Sequence, residues 1–298
     1  MNELFFPQSP RLRAVSGFAY AAAAAVLWSF IGPFSKASLG DGLSPLEIAF
    51  WRAFLGGVCF AVHTLFYGGL RIPVRDAAVF FLFGIWGVGI LFGALQISIQ
   101  LSGAAMAMVL LYTAPAWVAV ASRILFHEAI SYKKLAAICI ALAGVGLVCF
   151  SGGSLAAGHS WLGIGCGLLA GLAYASHFPF YSWWIRRYST GTIYTYMLFG
   201  GAVFLLPFVS FVPDKSWEAW SNLLALAILT NYVAYIALGK SLQRITQIQS
   251  AVVGNIEPIL ATLWVWMFYG ENFTLSGWLG CILVIGAVFL LTIDRKAG

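Results

Sequence analysis

Long apolar segments separated by short polar turns run along the whole chain. The first follows a polar stretch that ends in Arg13 and extends from about residue 14 to residue 34. A helix needs about 20 apolar residues to cross a bilayer, and a cleavable signal has only about 7–15, so this segment predicts a retained transmembrane helix. The pattern as a whole predicts an all-α membrane protein with ten transmembrane helices. The further spans are predicted at about residues 45–67, 76–100, 104–126, 133–151, 161–183, 190–211, 217–239, 247–269 and 276–293.

Two of these segments contain the same motif, nearly half a chain apart. Pro115 lies inside the fourth segment and Pro258 inside the ninth, and a glutamate follows each proline 13 residues later (128 − 115 = 13; 271 − 258 = 13). These glutamates are Glu128 and Glu271. A shift of 143 residues therefore superimposes both pairs (258 − 115 = 143; 271 − 128 = 143). A matched pair at a fixed spacing indicates an internal repeat.

The repeat divides the chain into residues 14–152 and 160–293, with five predicted spans in each half. Because five is odd, the second half must enter the membrane in the opposite direction, which predicts two inverted-topology five-helix repeats. Proline inside a helix removes a backbone donor and displaces the carbonyl group four residues earlier. In hydrocarbon such a carbonyl group needs protein, water or a ligand as a partner. Matched interruptions in inverted halves favour a site at mid-depth, with access alternating between the two sides.

Basic residues predict the orientation of the chain in its membrane. With ten spans, 13 of the 16 basic residues fall on the side of the two termini, two fall on the other side, and Arg52 lies within the second span (13 + 2 + 1 = 16). The two exceptions are Lys36 and Lys215. By the positive-inside rule, the tails formed by residues 1–13 and 294–298 are expected to be cytoplasmic.

The composition agrees with lipid as the main solvent and excludes several other classes. Hydrophobic residues make up 61% of the 298 residues and charged residues 9%, against roughly 25% charged in soluble domains. The net charge of +6 is explained by basic loops that form no stripe, so no nucleic-acid partner is expected. The five cysteines lie in apolar runs without the spacing of metal ligands. We therefore expect no metal and no cofactor.

Ionisable residues deep in the predicted spans are functional candidates, because burying a charge in lipid costs several kcal/mol unless it is paired. Glu257 lies about ten residues from either end of the ninth span and is the one deep acidic residue among ten. It can bind a solute ammonium group, carry a proton, or pair with a basic neighbour. Arg52 follows Glu47 by about one helical turn in the second span, which favours a structural ion pair between the two.

A stripe of mixed polar and aromatic side chains lies on one face of the sixth span. Tyr174, His177, Phe178 and Tyr181 follow the spacing i, i+3, i+4, i+7, beside Pro179. Such a stripe can be core packing or the wall of a wet cavity, and both interpretations stay open. The full set of candidate solute-binding residues, of which Glu257 and His177 are also the candidates for coupling, is Trp28, Tyr112, Pro115, Tyr174, His177, Phe178, Tyr181, Asn231, Tyr232, Tyr235, Asn255, Glu257 and Trp264.

The chain resembles the drug/metabolite transporter superfamily, and within it the EamA-type transporters with ten helices. The resemblance covers nearly the whole chain and rests on the doubled five-helix unit, the run Asn255-Ile256-Glu257-Pro258, the pair Gly270-Glu271 and Arg52. The first half departs from this pattern, with Ala114 before its proline and His127 before its glutamate. It therefore supplies no second midplane carboxylate. The resemblance implies export of small metabolites through a central cavity walled by spans 1–4 and 6–9, with spans 5 and 10 outside.

The aromatic content of 16% makes the chain similar to the aromatic-amino-acid exporters of this group. The resulting hypothesis is an exporter of small amphipathic metabolites, above all aromatic or apolar amino acids, with the lipid bilayer and the solute as its partners. One alternative is an exporter of lipophilic or cationic drugs on the same fold. A membrane-embedded transferase is a remote alternative, since the sequence shows no carboxylate cluster and no metal ligands. Proton coupling and downhill transport both fit the sequence.

Overall fold

All regular secondary structure in the described residues of the computed structural model is helical; these residues are 10–67, 69–102, 104–127, 129–150, 160–269 and 274–293. The first half contains α1 (Pro10–Ser29), α2 (Ile31–Gly40), α3 (Pro45–Tyr67), α4 (Val74–Gly84), α5 (Leu91–Ser102), α6 (Ala104–Leu111), α7 (Ala114–Leu125) and α8 (Tyr132–Phe150). The second half contains α9 (Trp161–Trp184), α10 (Thr190–Leu205), α11 (Trp217–Ala225), α12 (Ala234–Leu242), α13 (Gln247–Gly254), α14 (Glu257–Tyr269) and α15 (Leu275–Ile293).

Within the described chain, seven helical stretches are long and apolar enough to cross a membrane. Large apolar side chains on their outer faces are widely exposed, for example Leu82 at 62% and Val203 at 54%. A soluble protein rarely exposes so much contiguous apolar surface, whereas lipid covers it without penalty. The prediction of an all-helical membrane protein is therefore confirmed. The seven stretches are Leu12–Gly40, Pro45–Tyr67, Val74–Leu95, Ala107–Leu125, Trp161–Trp184, Thr190–Phe208 and Trp217–Leu242.

The first helical stretch is longer than the sequence predicts. It begins at Pro10, so the last residues assigned to the N-terminal tail belong to α1, and it continues through α2 to Gly40 instead of ending near residue 34. A turn at Phe30, three residues before Pro33, separates the two helices. Proline displaces the backbone one turn before it, which accounts for the position of this turn. The remainder of the two predicted tails, residues 1–9 and 294–298, lies outside the described residues.

The proline motifs produce matching breaks in the two halves. Helix α6 gives way to α7 at Tyr112 and Thr113, and α13 gives way to α14 at Asn255 and Ile256. The breaks lie 143 residues apart (255 − 112 = 143), which is the shift that the two prolines predict. In each case the helix ends at the residue whose carbonyl group the proline ring displaces. Glu128 and Glu271, the other half of the motif, lie outside the described residues.

Each half also contains a π-helical stretch in its third predicted span. Ile85–Ile90 connects α4 to α5, and Leu226–Val233 connects α11 to α12. A π-helical turn inserts one residue into the hydrogen-bond ladder, which leaves carbonyl groups offset from the regular helix, and such turns occur frequently at functional sites. Gly87 and Asn231, both part of the cluster described below, lie in these two stretches.

Helices from the two halves pack against each other in a pattern that is repeated when the halves are exchanged. Helix α1 packs against α12 and α13, and α9, its counterpart, packs against α5, α6 and α7. Helix α3 packs against its counterpart α10. Helices α8 and α15 pack chiefly against each other, which agrees with the peripheral position that the family resemblance implies for them. The interior of the protein is thus built by both halves together.

The first break is held by a close approach of helix α9. A side-chain carbon added to Gly171 would lie 2.7 Å from the carbonyl oxygen of Leu110 and 3.3 Å from that of Leu111. Only glycine leaves the space that these carbonyl groups occupy, and small residues commonly allow such close contact between membrane helices. The sequence therefore places the second half directly against the interrupted helix of the first half.

Candidate functional site

A buried arginine and an asparagine form the most constrained contact between the halves. Arg52 lies about two turns into α3, and its side chain is buried, with 8% relative exposure. Its Nε donates a hydrogen bond of 2.9 Å to Oδ1 of Asn231, and Nδ2 of Asn231 donates one of 2.7 Å to the carbonyl oxygen of Arg52. The guanidinium carbon also lies 5.2 Å from the centroid of the Phe92 ring, within cation–π range. These reciprocal bonds fix the position of both side chains.

The terminal nitrogens of Arg52 have no hydrogen-bond partner within the described chain. Among the described residues, Nη1 and Nη2 make no hydrogen bond, although a guanidinium group has five N–H donors. The two nitrogens are not among the fully enclosed polar atoms of the described residues, so they face a space that water or a ligand can fill.

The expected ion pair between Arg52 and Glu47 is wrong. The carboxylate of Glu47 instead pairs with Lys215, at 2.7 Å between Oε1 and Nζ, and accepts bonds of 3.3 and 3.2 Å from the backbone N–H of Val212. Five residues along an α-helix correspond to a rotation of about 140°, so the two side chains of α3 point to different faces. Glu47 faces the loop before α11, and Arg52 faces Asn231.

Glu257 opens α14 directly after the second break. This position combines the N-terminal end of a helix, where the helix dipole favours a negative charge, with the backbone disturbed by Pro258. Arg52, Tyr174 and Tyr235 are close enough to interact electrostatically with its carboxylate, and the Tyr112 hydroxyl group also interacts with it. In the part of the chain that the structure describes, Arg52 and Glu257 nevertheless form no direct ion pair.

Aromatic rings from four helices pack together beside these two charged residues. The indole ring of Trp28 stands edge-on to Tyr174 and Tyr235, with ring centroids 6.3 and 5.7 Å apart. Tyr235 in turn stacks on Tyr194 at 4.2 Å and on His177 at 6.2 Å. The hydroxyl groups of Tyr174 and Tyr235 have no hydrogen-bond partner among the described residues. The rings thus supply apolar faces, and their free hydroxyl groups supply additional donors.

His177 and Phe178 form the wall of this cluster. Nε2 of His177 contacts the carbonyl oxygen of Gly87 at 2.6 Å, and since a carbonyl oxygen only accepts, Nε2 carries the proton. The contact depends on glycine, because a side-chain carbon at Gly87 would lie 2.7 Å from that nitrogen. Phe178 packs edge-on against Tyr174 at 5.7 Å. The first three residues of the stripe predicted on the sixth span therefore belong to the cluster.

Three of the predicted site residues make their polar contacts elsewhere. The hydroxyl group of Tyr181 bonds to Oγ1 of Thr190, and that of Tyr232 bonds to Nδ1 of His63 at 2.7 Å. Trp264 donates from Nε1 to Ser29 at 2.8 Å, next to the turn between α1 and α2. These contacts join neighbouring helices and place the three side chains at the margin of the cluster.

The two breaks contribute the remaining predicted residues. Pro115 is buried in the first turn of α7, and the ring of Tyr112 packs against Val145 and Ile259. Asn255 is 2% exposed, and its Nδ2 has no hydrogen-bond partner among the described residues. This amide, two residues before Glu257, is thus a further buried polar group without a hydrogen-bond partner in the described chain.

Sequence reasoning misses the role of one member of the cluster and the presence of another. Arg52 is recognisable as the basic residue left inside a predicted span, but its spacing from Glu47 points to the wrong partner. Tyr194 in α10 is fully buried, stacks on Tyr235, and has a hydroxyl group without a partner in the described chain. No sequence signal distinguishes it from the many other aromatic residues. Together these groups can hold an anion at Arg52, a cation at Glu257, and an apolar or aromatic group between the rings.

A separate cavity of about 360 Å³ lies at the connection between α9 and α10. Its lining includes Arg187, Tyr188 and Lys240, and none of the predicted site residues. The Tyr188 hydroxyl group donates a hydrogen bond to the carboxylate of Asp76, which raises the pKa of Tyr188. Its position in a basic connecting segment separates it from the buried cluster.

Membrane-crossing helices around a buried, charged and incompletely paired cluster define a multi-pass membrane protein with an internal polar site, the arrangement of a small-molecule transporter. The sequence pattern of the EamA-like transporter family matches residues 15–150 and again residues 161–293. The chain therefore belongs to the EamA-like transporter family, and the resemblance stated from its sequence is confirmed.

Relatives named as transporters match this chain over most of their length, and a solved structure shares its fold. The uncharacterized transporter YdfC of Bacillus subtilis (strain 168) is 28% identical over 270 residues, which cover 88% of this chain and 86% of the relative. The uncharacterized inner membrane transporter YicL of Salmonella typhimurium is 25% identical over 289 residues, 92% of this chain and 94% of the relative. A crystal structure with a TM-score of 0.80 and 18% identity covers 94% of this chain and 97% of its own, and shares the fold.

Proposed function

We propose that the protein exports small amphipathic metabolites, above all amino acids with aromatic or apolar side chains. The observation that carries this proposal is the cluster of polar groups that have no partner within the described chain, next to the rings of Trp28, Tyr174 and Tyr235. Aromatic faces bind an apolar or aromatic side chain by burying its area and by edge-on or offset contacts. Asn255 and Glu257 meet the polar end of the solute, and Asn231 acts on it through Arg52.

Transport proceeds by alternating access between two inverted five-helix repeats, residues 14–152 and 160–293, which together make ten spans. The matching breaks 143 residues apart, the π-helical stretch in each half and the exchangeable packing of α1 and α9 support this arrangement. Arg52 comes from one repeat and Glu257 from the other. Rocking of the repeats about this shared site would open it to one side and then to the other.

The protein lies in a bacterial-type inner (plasma) membrane with both termini in the cytoplasm. The concentration of basic residues in the loops on the side of the termini supports this orientation. The relative YicL, named as an inner membrane transporter, supports the choice of membrane. In this orientation Lys215 and its partner Glu47 lie at the outer side, and the solute moves from the cytoplasm toward them.

Glu257 is the proposed coupling residue, because its carboxylate can bind either a proton or the ammonium group of a solute. His177 is the second candidate, but its Nε2 proton is already bound by the carbonyl oxygen of Gly87. Only Nδ1 of that ring is left to accept a proton. Exchange of one proton for one solute molecule at Glu257 therefore needs no further carboxylate.

Transport of labelled phenylalanine into liposomes that contain the purified protein tests the proposal. We expect uptake above that of empty liposomes, with competition by unlabelled tryptophan and leucine. Uptake equal to that of empty liposomes would refute the solute assignment. Competition by cationic dyes in place of amino acids would instead favour the drug exporter, although a cationic drug would bring a second positive charge next to Arg52.

A further inference from the structure

We propose that Arg52 binds a carboxylate group of the transported solute and that Asn231 is the residue that positions it. This inference rests on the proposed function and narrows it, since it restricts the solutes to those that carry a carboxylate group. An amine of the same shape without a carboxylate group would leave Arg52 without a partner. The site would then select amino acids against the corresponding amines.

The state of the Arg52 side chain is the first argument. It is more than nine-tenths buried, and within the described chain only its Nε is hydrogen-bonded. A buried charge without a partner is strongly destabilising, so a guanidinium group that serves only the fold is expected to be paired. The planar guanidinium group matches a carboxylate with two parallel hydrogen bonds, which makes arginine the preferred residue for carboxylate recognition.

The geometry of Asn231 is the second argument. Its Oδ1 accepts the hydrogen bond from Nε of Arg52, so that Nη1 and Nη2 remain as a pair of donors for one carboxylate. Its Nδ2 is anchored on the backbone of the same arginine, which prevents the amide from turning. Asn231 itself lies in the π-helical stretch between α11 and α12. It therefore acts through Arg52 and needs no contact with the solute.

The neighbouring charges and donors are the third argument. Tyr174 and Tyr235, with hydroxyl groups that have no partner in the described chain, are electrostatic neighbours of Arg52. Glu257 carries the opposite charge and interacts electrostatically with Arg52, but the two form no ion pair. An α-amino acid has its carboxylate and ammonium groups on one carbon atom, so it can neutralise the charges of Arg52 and Glu257 at the same time.

Binding of three probes to the purified protein in lipid nanodiscs tests the inference: phenylalanine, phenylpropionate, which lacks the amine, and phenethylamine, which lacks the carboxylate. For Arg52→Gln we expect the dissociation constants of phenylalanine and phenylpropionate to rise by about 10- to 100-fold, the range of a hydrogen bond to a charged group, and that of phenethylamine to stay nearly constant. Arg123→Gln, at an exposed position of α7, is the matched control and should change none of the three.

Two further variants keep the test decisive if Arg52→Gln does not fold. Arg52→Lys retains the charge and loses the paired donors, so it should weaken phenylpropionate more than phenethylamine. Asn231→Ala should do the same, whereas a merely structural asparagine would weaken all three probes alike. Unchanged phenylpropionate binding in Arg52→Gln, or equal binding of phenethylamine and phenylalanine by the unmodified protein, would overturn the inference. Failure of the unmodified protein to bind phenylalanine or phenylpropionate would also overturn the inference.

The inference and the proposed function can fail separately. Binding of phenylalanine that depends on Arg52, without transport in liposomes, would leave the carboxylate site standing and refute export of this solute. Transport of phenylalanine that is undiminished in Arg52→Gln would refute the role of Arg52 and leave the proposed function intact.

Discussion

Two pairs of opposite charges, each with one member in α3, differ in how many of their polar atoms have a partner in the protein. Lys215 bonds to the carboxylate of Glu47 at 2.7 Å and donates to the carbonyl oxygen of Val212 at 2.6 Å. Its ammonium group also lies 5.4 Å from the ring centroid of Trp51 and 5.6 Å from that of Trp220. Every partner that this pair needs is supplied by the protein, so the pair stabilises the fold and has nothing left to bind.

The other pair, Arg52 and Glu257, is close but incomplete. Its charges come from different halves of the chain, and the nearby amide of Asn255 also has no partner among the described residues. Since a buried charge is stable only when it is paired, the partners that are missing within the described chain must be supplied by water or, as we propose, by the solute. Within this protein, the pairing of a buried charge therefore distinguishes a structural pair from a candidate binding site better than its depth does.

Removal of one partner from the complete pair should have the largest effect of the changes considered. Lys215→Met leaves the buried carboxylate of Glu47 without its counterion, which typically lowers the free energy of unfolding by about 3–5 kcal/mol. Unfolding in detergent measures this loss, and the exposed Lys240→Met is the control, with an expected change of about 0–1 kcal/mol. Phenylalanine binding by the folded fraction should not change. Equal stability of the two variants would show that the pair is not structural.

Removal of the charge of Glu257 should instead weaken solute binding and leave the stability of the fold unchanged. We expect Glu257→Gln to weaken binding of phenylalanine and phenethylamine by about 10- to 100-fold, because an ammonium group loses a charged hydrogen-bond acceptor. Phenylpropionate should bind as before, and the stability should not fall, since no ion pair is lost. The exposed Glu218→Gln in α11 is the control. In liposomes, full transport by Glu257→Gln under a pH gradient would rule out the proton role of this residue.

The helices and the repeat could be predicted from the sequence because both depend on local patterns. Apolar length determines which segments are helical in lipid, and a proline ends the helix one turn before it, so Pro115 and Pro258 placed both breaks correctly. The depth of Glu257 likewise follows from its position in an apolar segment. These features need no knowledge of which helix lies next to which.

The pairing of the charges could not be predicted, because it depends on helix rotation and on contacts across the two halves. Glu47 and Arg52 are neighbours in sequence, yet their partners lie 168 and 179 residues away (215 − 47 = 168; 231 − 52 = 179). The direction of the Asn231 amide depends in turn on the π-helical stretch that contains it, which no sequence pattern predicts. Long-range packing of this kind leaves no pattern in a single sequence.

A smaller effect is expected where the positioning of Arg52 is disturbed without removing any polar group. A side-chain carbon on Gly56 would lie 2.9 Å from Nδ2 and 3.0 Å from Cβ of Asn231. Overpacking of this kind costs about 1–3 kcal/mol, and we expect Gly56→Ala to lower both the stability and the affinity for phenylpropionate. Gly93→Ala in α5, where nothing lies within 4 Å of the added carbon, is the matched control. Unchanged phenylpropionate binding in Gly56→Ala would argue against the positioning role of Asn231.

The smallest effect distinguishes two tyrosines that are three residues apart. Tyr235 lies in the cluster, with a hydroxyl group that has no partner in the described chain, whereas the hydroxyl group of Tyr232 is bonded to His63 at 2.7 Å. Loss of one neutral hydrogen bond costs about 0.5–1.5 kcal/mol, so Tyr235→Phe should weaken phenylalanine binding by about 2- to 10-fold. Tyr232→Phe should leave binding unchanged and reduce only the stability. The reverse order would place the solute on the His63 side of the helix, away from Arg52 and Glu257.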